Sequence, residues 1–490
     1  MRSRVRPDIV AEVGTTKFVL GLEFDYVYGQ TGSADTGVAI GGVAGGAPQR
    51  FGAGGGADLN TDVQAILEVK WAYTEFRLPL IPFASQVRLG AQPWAVTYKT
   101  AVYASGDFAG VNLVTQWSPI LRSHLTFVQI EEASTGPKDT FIRGDDIGFV
   151  GSVEITPFKG LDIRPIVSYV NFIGVTSAAA RQNRGGLASA AAVFPTCPGT
   201  TGPETGGCLG GGITSAEEER YTVGVDARWR SGAFFVDPTI LYQFGTRDQI
   251  SPTISLTSGP GVMTRLRRDA WYVDLRGGWQ AGPLLVEALA LYTTGNKAED
   301  RIDLNRSRIK YFEPISTDND SVFGFTEMQG GAQIDTLNRI RANAGSLNPG
   351  VAIGYDKYGL IVAGLRASYA ITPSFTIRGL VAARWTAEAV DTASSVAAAT
   401  GLTPRCGAAA LDAGTCVDRG TAQFYGSELA LGFQWRFAPN ISFDMVGAHF
   451  FAGNALSSPA ITNTASGVVQ NGRDPKDAQS ISARVRYTFR

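Results

Sequence analysis

The feature that most constrains this chain is an alternation of apolar and polar residues with period two, sustained over stretches of ten residues or more. Near 17–29, Phe18, Leu20, Leu22, Phe24, Tyr26 and Tyr28 point one way while Lys17, Gly21, Glu23 and Asp25 point the other. Val63, Ala65, Leu67, Val69, Trp71 and Tyr73 alternate with Gln64, Glu68, Lys70 and Thr74, and Tyr221, Val223, Val225, Ala227 and Trp229 with Thr222, Asp226 and Arg228. Trp271, Val273, Leu275 and Trp279 oppose Asp274 and Arg276, while Leu429, Leu431, Phe433, Trp435 and Phe437 oppose Glu428, Gln434 and Arg436. The last such stretch sets Ile481, Ala483, Val485, Tyr487 and Phe489 against Ser482, Arg484 and Arg486. One face is too apolar for water and the other too charged for a dry core. Lipid outside and water inside satisfies both, and ten residues suffice to cross a bilayer at a tilt.

The connections add an independent signal, because tight turns alternate with long loops. Lys159-Gly160, Ser231-Gly232, Ala281-Gly282, Thr372-Pro373-Ser374 and Pro439-Asn440 carry turn chemistry and join long strands. Between the hairpins lie the long segments 31–60, 177–216, 297–355, 391–420 and 457–477. The pattern predicts sixteen strands near 17–29, 61–78, 84–95, 109–118, 121–133, 143–158, 161–174, 218–231, 233–248, 266–281, 283–297, 356–371, 374–390, 421–437, 440–455 and 478–490. The fold class expected is all-β: a transmembrane antiparallel up-and-down β-barrel of about 16 strands, with short periplasmic turns and long extracellular loops. The stretch 80–118 is the weakest of the count. Residues 1–16 are read as a periplasmic segment and 17–490 as one barrel domain, the first and last strands pairing so that Arg484 and Arg486 meet Glu23 and Asp25. The basic opening Met1 to Asp8 lacks the apolar run of an export leader and is read as a trimmed or misplaced start.

Composition narrows the function. A net charge of −1 gives no reason to expect nucleic acid. Only 4 Cys and 2 His are present, without a Cys-x-x-Cys, a His-Glu-x-x-His or a Gly-x-Ser-x-Gly elbow, so an enzyme is not expected and no cofactor is implied. Cys197 with Cys208 and Cys406 with Cys416 are close pairs inside small-residue loops, read as two local disulfides rather than a metal site. Of the histidines, His124 is placed on the lumen side and His449 near the outer face at a rim, with no catalytic partner beside it in sequence.

With this hairpin rhythm along nearly the whole chain, and a closing segment 478–490 ending Val-Arg-Tyr-Thr-Phe-Arg, the sequence resembles the bacterial outer-membrane porin superfamily. Barrels of that superfamily usually finish on an aromatic residue. Phe489 holds that place, with Arg490 added after it. The resemblance implies the outer membrane of a Gram-negative cell, contact with its lipid, and transport of small hydrophilic solutes. Trimers are common among such porins, and the sequence leaves the oligomeric state open.

The expected pore lining is Glu23, Asp25, Glu68, Lys70, Arg88, Arg122, Glu154, Arg164, Asp226, Arg228, Asp274, Arg276, Arg378, Arg384, Glu428, Arg436, Arg484 and Arg486. Such charges either set a transverse field at a constriction or pair between strands to stiffen the wall. Their balance of sign argues against strong ion selectivity. The loop 297–355 holds a basic run, Asn305 to Lys310, then an acidic one, Tyr311 to Asp320. It is expected either to fold into the barrel mouth or to cap it outside. Asp318, Asn319 and Asp320 lack the spacing of a calcium loop, and Gly52, Gly54 and Ala57 lack the helix that a dinucleotide fingerprint needs. The leading expectation is diffusion of small hydrophilic solutes through a charged, water-filled lumen. Two alternatives stand beside it: a substrate-specific channel or exporter with aromatic lumen residues such as Tyr272, and a structural barrel docking other envelope proteins, redox carriers included.

Overall fold

The computed structural model describes residues 2–27, 50–51, 64–79, 81–99, 102–131, 146–172, 217–250, 263–297, 300, 308–317, 358–390, 420–457, 461–462, 469–470 and 475–488. Among the described residues, eighteen strands make up the wall: β1 Arg2–Val5, β2 Asp8–Val13, β3 Thr16–Val27, β4 Gln64–Arg77, β5 Ala84–Ala95 and β6 Ala104–Ser118. Next come β7 Leu121–Glu131, β8 Asp146–Phe158, β9 Leu161–Phe172, β10 Glu217–Ser231, β11 Phe234–Ile250 and β12 Met263–Ala281. The wall continues with β13 Leu284–Thr293, β14 Leu360–Thr372, β15 Phe375–Val390, β16 Ala422–Ala438, β17 Ile441–Ala452 and β18 Ala478–Tyr487.

From β3 onward every strand pairs antiparallel with its predecessor, an up-and-down meander in a single sheet that curls into a β-barrel. The curl is evident from contacts across the interior. Ser316–Thr317, in the long segment before β14, pairs parallel with Ala104 and Ser105 of β6. Tight turns hold one rim. Gly160 sits at φ +96°, where a Cβ would lie 2.4 Å from the carbonyl oxygen of Arg230, so no other residue fits without moving β10.

The sixteen strands expected from alternation are present as β3 to β18, with ends displaced by a few residues. Three differences have physical causes. First, residues 2–13 are not a separate segment but two strands lying along β3: Arg2 to Val5 face Val27 to Phe24, and Asp8 to Val13 face Gly21 to Thr16. Pro7 has no N–H to give and interrupts the ladder, although its carbonyl still accepts from Leu22 N at 3.0 Å. Second, β1 and β2 occupy the edge of β3 that β18 was expected to meet. Among the described residues β18 pairs with β17 alone, and Glu23 is held by Arg4 and Arg6, not by Arg484 and Arg486. Third, the β3–β4 register skips Lys70. This bulge turns Tyr73 inward, where it is buried, and lays the Trp71 indole over Gly21. Lys70 pairs instead with Asp107, 2.9 Å away, on the outward side of β6, and is not a pore residue.

Candidate pore constriction

Among the described residues, two segments leave the wall and pass inside it. The first is 96–99 with 102–103, between β5 and β6. Thr97 Oγ1 donates to the carbonyl of Lys99 at 2.6 Å and closes a local turn that sends Tyr98 and Lys99 across the lumen toward β9 to β12. Lys99 Nζ lies 3.6 Å from Asp226 Oδ1 and 3.8 Å from Asp274 Oδ1, and donates to the carbonyl of Asp237 at 2.5 Å. Asp226 also accepts from Tyr98 N and Thr239 Oγ1, each at 2.6 Å. Asp274 accepts from Arg276 Nη2 at 2.8 Å and from the Tyr272 hydroxyl at 3.1 Å. Both carboxylates are thus fully engaged with a single ammonium between them. Burial pulls the Lys99 ammonium below the usual lysine range, and Asp274 and Asp226 oppose that shift.

The Tyr98 ring is sandwiched between guanidiniums, with Arg164 Cζ 4.1 Å and Arg228 Cζ 4.3 Å from its centroid. Each guanidinium has its own carboxylate, Arg164 with Glu154 and Arg228 with Asp162, and Arg164 also donates to the carbonyl of Val96 at 2.9 Å. Burial raises the Tyr98 hydroxyl above the ordinary phenol range, so it stays protonated. The result is an ordered, charge-balanced row in which the carboxylates Glu154, Asp162, Asp226 and Asp274 are matched by Arg164, Arg228, Lys99 and Arg276 around Tyr98.

The second segment, 308–317, is pinned by buried polar groups on β10 to β12. Gln243 donates to the carbonyl of Glu313 at 2.7 Å and accepts from its N–H at 3.0 Å, imitating a backbone partner. Arg220 and Arg268 each approach Glu313 Oε2 to 3.1 Å; Arg268 also reaches Glu218 at 2.7 Å and the carbonyl of Tyr311 at 2.9 Å. The two segments join where Ile315 N donates to the carbonyl of Tyr103 at 2.9 Å. Phe312 packs between Tyr103 and Tyr272, with ring centroids at 6.0 and 5.0 Å, and Tyr103 is fixed in turn by Ser168 and Thr222.

The expected lining residues distribute unevenly around this site. Glu154, Arg164, Asp226, Arg228, Asp274 and Arg276 converge on Tyr98 and Lys99. Arg88 pairs with Glu75 and Arg484 with Asp444, in each case between neighbouring strands, as Arg366 and Glu287, not among the expected lining, also do. Arg122 bonds Gln116 and Arg378 bonds Gln434, again within the wall. Arg384 and Glu428 are buried on the inner face, whereas Arg436 and Arg486 are exposed near the short-turn rim. The side chains of Asp25 and Glu68, the four cysteines, Asp318 to Asp320 and Gly52 to Ala57 lie outside the described residues. His449 is half-exposed and not isolated: Asp477 Oδ2 is 3.4 Å from its Nε2 and Gln479 Nε2 is 3.0 Å from its Nδ1.

Sequence reasoning missed Tyr98, Lys99, Tyr103, Glu218, Arg220, Arg268 and Glu313 as site residues. The first three fall in the stretch where alternation fades, and that fading was itself the mark of chain leaving the wall.

No family model and no curated protein matches this chain. Among solved structures it is similar to Pseudomonas aeruginosa OccK8 (OprE), with TM-score 0.44 and 9% identity over 100% of this chain and 92% of that one. OccD3 (OpdP) of the same organism gives TM-score 0.42 and 11% identity over 100% and 86%. The outer membrane protein opdK of Pseudomonas aeruginosa gives 0.41 and 7% over 92% and 88%.

Proposed function

We propose that this chain is an outer-membrane channel of a Gram-negative envelope, through which small hydrophilic solutes pass down their gradients. The observation that carries this reading is the inverted polarity of the wall. On β10 the outward Tyr221, Val223, Val225 and Trp229 are 37, 38, 42 and 39% exposed, while the inward Arg220, Thr222 and Asp226 are 0% exposed. A water-soluble protein of this size would bury the first set and expose the second. The exposed aromatics Trp117, Phe158, Trp229, Phe234, Trp279 and Phe437 lie close to the tight turns, as an interfacial girdle requires. Catalysis has no part in the proposal.

A second reading, a solute-selective channel, is favoured by the constriction. Its charges are fixed by the wall and by one another, so a permeating solute meets a rigid array in place of flexible side chains. Reconstitution of the purified protein in planar bilayers, with ion-selectivity measurements and competition by candidate solutes, tests both. Stepwise conductance blocked by one class of solute supports the selective channel, and conductance blocked by none supports general diffusion. Absence of any conductance overturns both readings.

A further inference from the structure

We propose that residues 2–13 form a seventeenth wall position that closes the barrel by pairing in parallel with β18, bringing Arg4 and Arg6 into the pore lining. The proposal rests on the membrane reading above. The first observation is alternation. By register against β3, Val5, Ile9, Ala11 and Val13 fall on the face shared with Phe18, Leu20 and Phe24, which faces outward. Arg4, Asp8, Val10 and Glu12 fall on the face of Val19 and Glu23, which faces inward. The stretch therefore has the lipid-and-lumen pattern of a membrane strand. Its inward side is tied to the wall where Arg4 Nη2 and Arg6 Nε approach Glu23 at 2.9 and 2.5 Å.

The second observation is the pair of edges that this placement leaves. Among the described residues β18 has a ladder to β17 only, and β1 and β2 have ladders to β3 only. Outward Ile481 and Val485 on one edge are 78 and 65% exposed, and outward Val13 on the other is 81% exposed. In hydrocarbon an open strand edge is excluded, because its N–H and C=O groups find no water. The two edges suit each other in direction, since β2 runs antiparallel to β3 and β18 antiparallel to β17, so both descend to the tight-turn rim. They also suit each other in charge. Levelling Val13, which precedes the Gly14 turn, with Tyr487, which faces Ile441 beside the Asn440 turn, sets Arg486 near Glu12 and Arg484 within reach of Asp8 and Glu12. An even-stranded closure by β18 against β3 would instead have to break the β2–β3 ladder and strip Glu23 of both arginines.

The test is disulfide trapping in outer-membrane vesicles, in the full chain with Cys197→Ser, Cys208→Ser, Cys406→Ser and Cys416→Ser. Ala483→Cys is combined in turn with Ile9→Cys, Ala11→Cys, Leu20→Cys and Leu22→Cys. Paired strands hold such positions within disulfide reach, whereas a strand lying between them does not. Bridging of 483 to 9 or 11 and not to 20 or 22 is the expected result. Bridging to 20 or 22, or bridging only between two molecules, overturns the seam. Protein missing from the outer-membrane fraction would instead refute the membrane reading. A photo-crosslinking residue at Ala483, with the native cysteines kept, serves if the substituted chain fails to insert. The peptide expected to carry the crosslink then lies within residues 2–13, and a crosslink to β3 overturns the proposal.

Discussion

Replacing Lys99 with methionine removes the ammonium that bridges Asp226 and Asp274 while keeping most of the side chain's length. Asp226 keeps its bonds from Tyr98 N and Thr239, and Asp274 keeps Arg276, so the 96–99 segment should hold its place. What changes is the field, since one positive charge leaves a row that was balanced. A monovalent ion passing about 7 Å from that point in water gains or loses about 0.6 kcal/mol through the lost charge. A cation is favoured and an anion disfavoured by the same amount, so the ratio of potassium to chloride permeability should rise by about sevenfold without screening and by about threefold near 0.1 M salt, where screening roughly halves the energy. The reversal potential across a planar bilayer in a potassium chloride gradient reads this ratio directly. The effect should be clear near 0.1 M salt, where the Debye length is about 10 Å, and should shrink near 1 M, where it is about 3 Å. A ratio unchanged at the lower salt would refute the placement of Lys99 in the ion path. The native protein should drift the same way as pH rises. Burial holds Lys99 below its ordinary 10.5, so it loses its proton before exposed lysines do and uncovers the same two carboxylates.

Glu313→Gln should loosen the 308–317 segment, because Arg220 and Arg268 both lose the carboxylate that ties them to it. Breaking a buried pair of this kind costs about 3–5 kcal/mol locally, visible as faster proteolysis of the segment and a larger single-channel conductance. Gly21→Ala would set a Cβ 2.0 Å from the Trp71 indole, and overpacking of this kind costs about 1–3 kcal/mol, to be read as a lower unfolding midpoint in detergent. Asp477 is held below its ordinary 3.8 by the N–H of Ala452 and by His449, so its stabilising effect is complete above 3.8 and is lost as pH falls through the depressed value. Asp477→Asn should therefore speed exchange of the Ala452 amide at neutral pH and make no difference once the native carboxyl is protonated.

The wall was legible because its signal is local. Period-two alternation needs no knowledge of partners, and Gly160 or Asn440 announces a turn through its own backbone. The Lys70 bulge was not legible. One extra residue leaves the apolar count unchanged but reverses the faces beyond it, so Trp71 and Tyr73 read as lipid-facing until the register with Gly21 and Val19 is known. Residues 2–13 were hidden differently. The basic opening reads as a trimmed or misplaced start, and Pro7 breaks the run, yet Arg4 falls on one face and Val5, Ile9, Ala11 and Val13 on the other. The constriction was half legible. Asp226, Arg228, Asp274 and Arg276 follow from alternation, but nothing local ties Lys99 to carboxylates more than a hundred residues away. Contacts of that separation are set by the closure of the barrel and not by the sequence around them.

If the inward face lines a water-filled path, the protein conducts ions with a selectivity that its fixed charges set. Single-channel recording of the purified full-length protein in a planar bilayer, with native chain and Lys99→Met measured side by side, tests that claim most directly. Discrete conductance steps in both, with the cation preference raised in the variant, are the expected result. A protein that inserts but conducts nothing, or that conducts with identical selectivity in the two forms, contradicts it.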